Sequence, residues 1–227
     1  MIYAQPNSWQ CGPFALKHAL LVYGRVAHED ALASLAGSNE SIGTDELGLR
    51  RALEAYGGTL RIVRRRTRHG ARQELHRWLR QGIPVLLCVD QWDHWITAVA
   101  DLHHQVALFD SHFDNAVFRR EPWDRLLDRV AYRRRHLKGL WTTAWWDLHP
   151  VLLPEAVTAR RIRPDRLATL FADGNPDQAV AAELLGATGV RDDSRQATND
   201  GRVARRPSVD RRPLPPARRN TRTAVSR

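Results

Sequence analysis

At Gly82-Ile83-Pro84 the hydrophobic period of the chain changes, and the change sorts the sequence into a helical part followed by a β part. Before it, four segments carry apolar residues three and four apart. Residues 14–23 are apolar on most faces, with Pro13 in the first turn and Gly24 as the stop, so this helix should be buried. A short helix fits residues 28–36. A third runs from a Thr44 cap to residue 56, with Leu49, Ala52, Leu53 and Tyr56 forming one stripe. A fourth fits residues 71–81, with Leu75, Trp78 and Leu79 on one side and Gly82 at its end. After Pro84, residues 85–89, 94–100 and 106–110 read as strands. A strand at 115–119, a helix at 122–130 and a Trp-rich strand at 140–148 follow. Helices first and strands second predict an α+β fold.

Composition divides the rest. Residues 1–152 hold nearly all of this patterning and form the expected core domain. Residues 153–190 carry two short helical pieces, 164–172 and 176–185, and read as a helical extension. Residues 178–190 faintly resemble the first half of a helix-turn-helix, but residues 191–201 are too polar and Asp-rich for a recognition helix. From residue 191 to 227 there are eleven arginines against four aspartates and no periodicity, so this stretch reads as a disordered tail. The tail carries +7 of the net charge of +10, so contact with a polyanion is an expectation for the tail rather than the mildly basic body. No apolar run reaches the roughly 18 residues of a membrane span. Cys11 and Cys88 are the two cysteines, which excludes a disulfide framework and fits a reducing, cytoplasmic setting. Residues 1–10 lack the basic and apolar regions of a secretory signal.

The chemistry-bearing segment is Gln5-Pro6-Asn7-Ser8-Trp9-Gln10-Cys11-Gly12-Pro13-Phe14, which sets a cysteine at the entrance of a buried helix. Backbone N–H groups and the helix dipole favour negative charge there, and so favour a nucleophilic thiolate. Gly12 leaves room for close approach of a substrate. Gln5, six residues upstream, can bring its amide beside the sulfur and share an oxyanion with the Cys11 backbone N–H. The base is expected at His94. If residues 94–100 and 106–110 form a hairpin centred on Leu102, Ala98 faces Val106, Ile96 faces Leu108 and His94 faces Asp110. That register buries four apolar residues on one face and lets Asp110 fix the imidazole tautomer.

Taken together, these pieces resemble the papain-like cysteine peptidase superfamily, and within it the branch of double-glycine peptidases that process bacteriocin precursors. The resemblance spans about residues 1–150. It rests on Gln5 with Cys11-Gly12-Pro13, the apolar helix ending at Tyr23-Gly24, and Gly43-Thr44 before the third helix. Gly82-Ile83-Pro84-Val85, His94-Trp95 and Leu108-Phe109-Asp110-Ser111 complete it. It implies a two-lobed fold, a helical lobe carrying Cys11 packed on an antiparallel sheet carrying His94 and Asp110. It also implies amide hydrolysis through an acyl-enzyme, with a peptide or protein substrate and no cofactor. Gln10 stands where an acidic residue is frequent in that branch, which leaves room for Gln10, rather than Gln5, near the oxyanion.

Rival readings remain open in the sequence. The same nucleophile could pass its acyl group to an amine, making a transferase. The chain could also be a non-enzymatic module whose basic tail binds nucleic acid or an acidic partner. His103, His104 and His112 near His94 and Asp110 suggest a metal site, but the first two fall at the hairpin turn and no pair shares a helical face. Cys88, within an apolar run, reads as an inert core residue. Trp92 is the better candidate for a cleft wall, since Trp95 alternates to the opposite face.

Overall fold

The computed structural model describes residues 4–112, 117–135 and 141–154. The helices are α1 (Cys11–Val22), α2 (Glu29–Ala36), α3 (Glu46–Ala55), α4 (Arg68–Arg80) and α5 (Trp123–Val130). The strands are β1 (Thr59–Leu60), β2 (Val63–Arg65), β3 (Val85–Val89), β4 (His94–Asp101), β5 (Gln105–Phe109), β6 (Phe118–Pro122), β7 (Ala131–Arg135) and β8 (Trp141–Leu152). They form one antiparallel sheet in the order β1-β8-β3-β4-β5-β6, with β2 and β7 also pairing with β8.

Alternation along the central strands explains why both sheet faces are covered. Leu86, Cys88 and Trp95 point to one side and pack with Cys11, Ala15, Leu16, Ala19 and Leu20 of α1, with α2 and α3 beyond. Val85, Leu87, Val89, Ile96 and Ala98 point to the other and pack with Leu75 and Leu79 of α4 and Leu126 and Leu127 of α5. The expected α+β fold is present, a helical lobe on an antiparallel sheet, with α4 and α5 added to the far face. Thr97 ties the lobe to the sheet, its hydroxyl donating 2.7 Å to the Ala15 carbonyl inside α1.

Several bounds differ from the sequence reading for identifiable reasons. α1 starts three residues before the expected position 14, at Cys11, because Pro13 falls in the first turn where its missing N–H costs nothing. The cap of α3 is Asp45, not Thr44: the Asp45 carboxylate accepts 2.6 Å from Gly48 N–H. α4 begins at Arg68, earlier than expected, because Thr67 Oγ1 caps it through Gly70 N–H at 3.1 Å. β1, β2 and β7 were not anticipated. They are short or arginine-rich and gain their conformation by pairing with β8, which itself runs four residues past its expected end. The strand expected at 115–119 is β6, which runs Phe118–Pro122, and residues 115 and 116 lie outside the described residues, as do the expected helical pieces at 164–172 and 176–185 and the tail.

Candidate active site

Cys11 is the first residue of α1, preceded by a single 3-10 turn at Ser8–Gln10 that brings the chain into the helix. No side chain caps this helix start. The positive end of the helix dipole is therefore directed at the region around the Cys11 thiol. Cys11 is buried, against Cys88 and Trp95.

His94 opens β4, and its Nε2 lies 2.8 Å from Asp110 Oδ1. The register that brings them together depends on a bulge. A two-residue turn, His103-His104, closed by Leu102 N–H to the Gln105 carbonyl, sets Asp101 opposite Val106 and Ala100 opposite Ala107. Carried on unbroken, this pairing would put Asp110 on the face opposite His94. Between Ala98 and Ala100 the register shifts at Val99, so that Ala98 pairs with Leu108 and Thr97 with Phe109. The shift changes the parity and returns Asp110 to His94's side. The expected direct opposition of the two residues is corrected to a diagonal one. Continuing the pairing sets His112 across from His94, and the two rings meet edge-on at 5.6 Å.

The site is electrostatically coupled. Burial disfavours a charged His94 ring, but its hydrogen bonds to Asp110 and Cys11 and their charges outweigh this and push it up to about 9. With Nε2 held by Asp110, Nδ1 is the ring nitrogen left for the Cys11 thiol. Asp110 is fully buried, which opposes its charge, yet the His94 hydrogen bond, the His94 and Arg119 charges and the His112 backbone N–H hold it down to about 2. The His112 N–H donates to Oδ1 at 3.1 Å, and Arg119 Nη2 lies 2.7 Å from Oδ2. A thiol beside an imidazole that is oriented by a carboxylate is a donor set for nucleophilic acyl transfer.

Gln5 is buried and fixed. Its Oε1 accepts from Ser111 Oγ at 2.7 Å, and its backbone N–H donates to the Ser111 carbonyl at 2.8 Å. Its Nε2 donates to the Asn7 carbonyl at 2.8 Å and the Ser8 carbonyl at 3.3 Å, so the amide braces the loop that leads into Cys11. Gln10 is also buried, donating to Asp30 at 3.3 Å, while its Oε1 has no partner among the described residues. At Gly12 a Cβ would lie 2.6 Å from Thr44 Cβ, so the missing side chain admits Thr44 against α1. Thr44 is held in turn by Ser38, and its carbonyl accepts from Trp95 Nε1 at 2.9 Å.

Trp95 packs on the α1 side, as its alternation required. Trp92 is partly exposed and stacks on Tyr132 at 4.7 Å, with Trp145 edge-on, so it belongs to an aromatic cluster with β7 and β8. His103 and His104 occupy the β4–β5 turn. Among the described residues no cluster of three His, Cys, Asp or Glu side chains could hold a metal ion. Burial, then the proximity of Cys11, pushes the Cys88 thiol up, away from reactivity. Sequence reasoning missed Arg119 altogether, and it named Ser111 and Thr44 without their roles, in bracing Gln5 and in packing on Gly12. Their roles depend on contacts between elements far apart in the chain, for which one sequence carries no local signal.

No family model matches the chain, and no curated protein gives a significant match. Solved structures do. The chain is similar to the peptidase domain of Streptococcus ComA, a bifunctional ABC transporter involved in quorum sensing, at 17% identity and TM-score 0.49, over 67% of this chain and 97% of that one. It is similar to a double-glycine-motif protease from an AMS/PCAT transporter, solved with its leader peptide, at 14% identity and TM-score 0.45, over 66% and 91% of the two chains. A peptidase C39-like domain of a toxin secretion ATP-binding protein from Vibrio parahaemolyticus gives 14% identity and TM-score 0.42, over 66% and 100%.

Proposed function

We propose that this chain is a cysteine peptidase that cleaves an amide bond in a peptide or protein through an acyl-enzyme on Cys11. The observation that carries the reading is the grouping of Cys11, His94 and Asp110: a thiol at a helix start with no side-chain cap, beside an imidazole whose protonated form it helps to favour and whose Nε2 is 2.8 Å from a buried carboxylate. His94 Nδ1 takes the thiol proton, the sulfur attacks the carbonyl carbon, and the resulting imidazolium returns the proton to the leaving amine. Water, deprotonated by the same nitrogen, then releases the acid and restores the thiol. Asp110 keeps Nε2 protonated and stabilises the imidazolium throughout.

The oxyanion meets the Cys11 backbone N–H at the start of the helix. Gln5 Nε2 is the second donor in this reading, and it can turn to an oxyanion by giving up its longer bond, 3.3 Å to the Ser8 carbonyl. Among the described residues no helix is long and apolar enough to cross a membrane. The test is hydrolysis of a diverse peptide mixture read by mass spectrometry. Wild-type protein should generate new termini that the Cys11→Ala protein does not, and cleavage that persists without Cys11 would dismiss the reading.

A further inference from the structure

Asp110 is not the end of the line of charges that starts at His94. Beyond it, Arg119 Nη2 on β6 lies 2.7 Å from Asp110 Oδ2 and 3.2 Å from Oε2 of Glu121, two residues along the same strand. The same Glu121 oxygen accepts 2.9 Å from Nη1 of Arg129 on α5. Arg129 then grips Asp90 with Nε at 3.1 Å and Nη2 at 2.8 Å, and its carbonyl accepts from the Asp90 N–H at 2.9 Å. Asp90 opens the turn that delivers His94. The line thus leaves the site at Asp110 and returns to it four residues before His94.

That turn is a costly one. Asp90, Gln91 and Trp92 have φ of 56°, 65° and 72°, three consecutive left-handed residues that carry a Cβ. Such residues are disfavoured because the Cβ crowds the following carbonyl oxygen, and the conformation survives only where its surroundings over-determine it. Here they do. Besides the Arg129 clamp, Gln91 donates to the Ala131 carbonyl at 2.9 Å and accepts from Arg133 N–H at 3.1 Å, and Trp92 stacks on Tyr132. The charges along the line alternate in sign, and Glu121 is almost fully buried, so the loss of any one leaves its neighbours facing a like or missing charge.

We propose that Arg119, Glu121 and Arg129 are positioning residues for the Cys11–His94 pair: Arg119 aims Asp110 at the imidazole, and Arg129 holds the strained turn that presents it, with Glu121 linking the two. The proposal rests on the reading of Cys11, His94 and Asp110 as the catalytic relay, and Arg119, Glu121 and Arg129 act on Cys11 and His94 only through Asp110 and the turn at residues 90–92.

The sign of a titration separates positioning from a simple charge effect. His94 is faced by Asp110, by Cys11 from α1 and by the His112 ring, while Asp110 is faced by Arg119 and also feels His18 of α1. Removing a nearby cation by itself raises an imidazole pKa, whereas loosening its carboxylate partner lowers it. The experiment follows the His94 ring by NMR across pH in the full chain, with iodoacetamide labelling of Cys11 as the functional readout. Arg119→Met should lower the His94 titration from about 9 by about one pH unit or more and slow Cys11 labelling at neutral pH roughly tenfold. Arg119→Lys should restore most of both. If Arg119→Met does not fold, Glu121→Gln, which keeps the side chain's size, is read by the same criteria. A His94 titration that rises or stays put, with labelling at the wild-type rate, overturns the proposal. Wild-type Cys11 that labels no faster than Cys88 counts against the peptidase reading instead, and the His94 titration still decides this inference.

Discussion

Asp110→Asn keeps the size of the side chain but removes the charge that holds His94 protonated, and its consequence for stability can be worked through. In the wild-type fold His94 titrates at about 9, against 6.5 for an unperturbed ring. A folded-state pKa above the unfolded value means that protonation favours the fold. The contribution is fully present below 6.5 and is lost as pH rises from there to about 9. A change of this size corresponds to roughly 3 kcal/mol, treated as an upper figure because part of it belongs to Cys11. In Asp110→Asn the main source of the elevation is gone. The stability gap between wild type and variant should therefore be widest near about pH 6 and narrow by up to roughly 3 kcal/mol on approaching about pH 9. Urea unfolding of both proteins at intervals across that window measures it. A gap of constant size would refute the argument, because it would mean that Asp110 does not set the protonation of His94. Asp110 itself titrates at about 2, below its usual 3.8, so its contribution runs the other way, present above 3.8 and lost as pH falls to about 2.

Other outcomes are as definite. Cys11→Ala should abolish peptide cleavage while costing no more than about 1–2 kcal/mol of stability, since it removes one sulfur from the core; thermal unfolding alongside the cleavage assay checks both. Gly12→Ala should destabilise by about 1–3 kcal/mol, although alanine is the better helix former, because its Cβ would sit 2.6 Å from Thr44 Cβ. Thr44→Gly in the same chain should recover part of that loss, and denaturant midpoints of the single and double variants show whether it does. Deleting residues 191–227, which carry eleven arginines, should leave turnover of a small neutral peptide nearly unchanged while weakening retention on heparin. Loss of turnover in a folded truncated protein would place the tail within the active site.

How much of this was readable from the sequence varies with how local each signal is. The helix behind Cys11 announces itself through Pro13, Gly24 and an apolar run between them, and β3, β4 and β5 through short, mainly apolar runs after Pro84. The companionship of His94 and Asp110 was also legible, because alternation alone restricts which residues share a face. The route to it was not. The turn at His103-His104 contains no glycine, and nothing marks Val99 as the point where the register shifts, so direct opposition was expected where the fold uses a diagonal. Gly12 shows a different limit: that a side chain was excluded was visible, but the occupant, Thr44, comes from the loop just before α3. Arg119 reaches Asp110 only because β6 pairs Arg119 with Leu108, a register that no pattern within residues 117–122 specifies.

The central claim, that His94 activates Cys11 as a nucleophile, is tested most directly by the rate at which iodoacetamide modifies Cys11 at neutral pH, with the modified residue identified by mass spectrometry. In the wild-type protein Cys11 should react faster than Cys88 by about a hundredfold or more, and His94→Ala should remove most of that advantage while leaving Cys88 unchanged. Equal rates at Cys11 in the wild-type and His94→Ala proteins would contradict the claim.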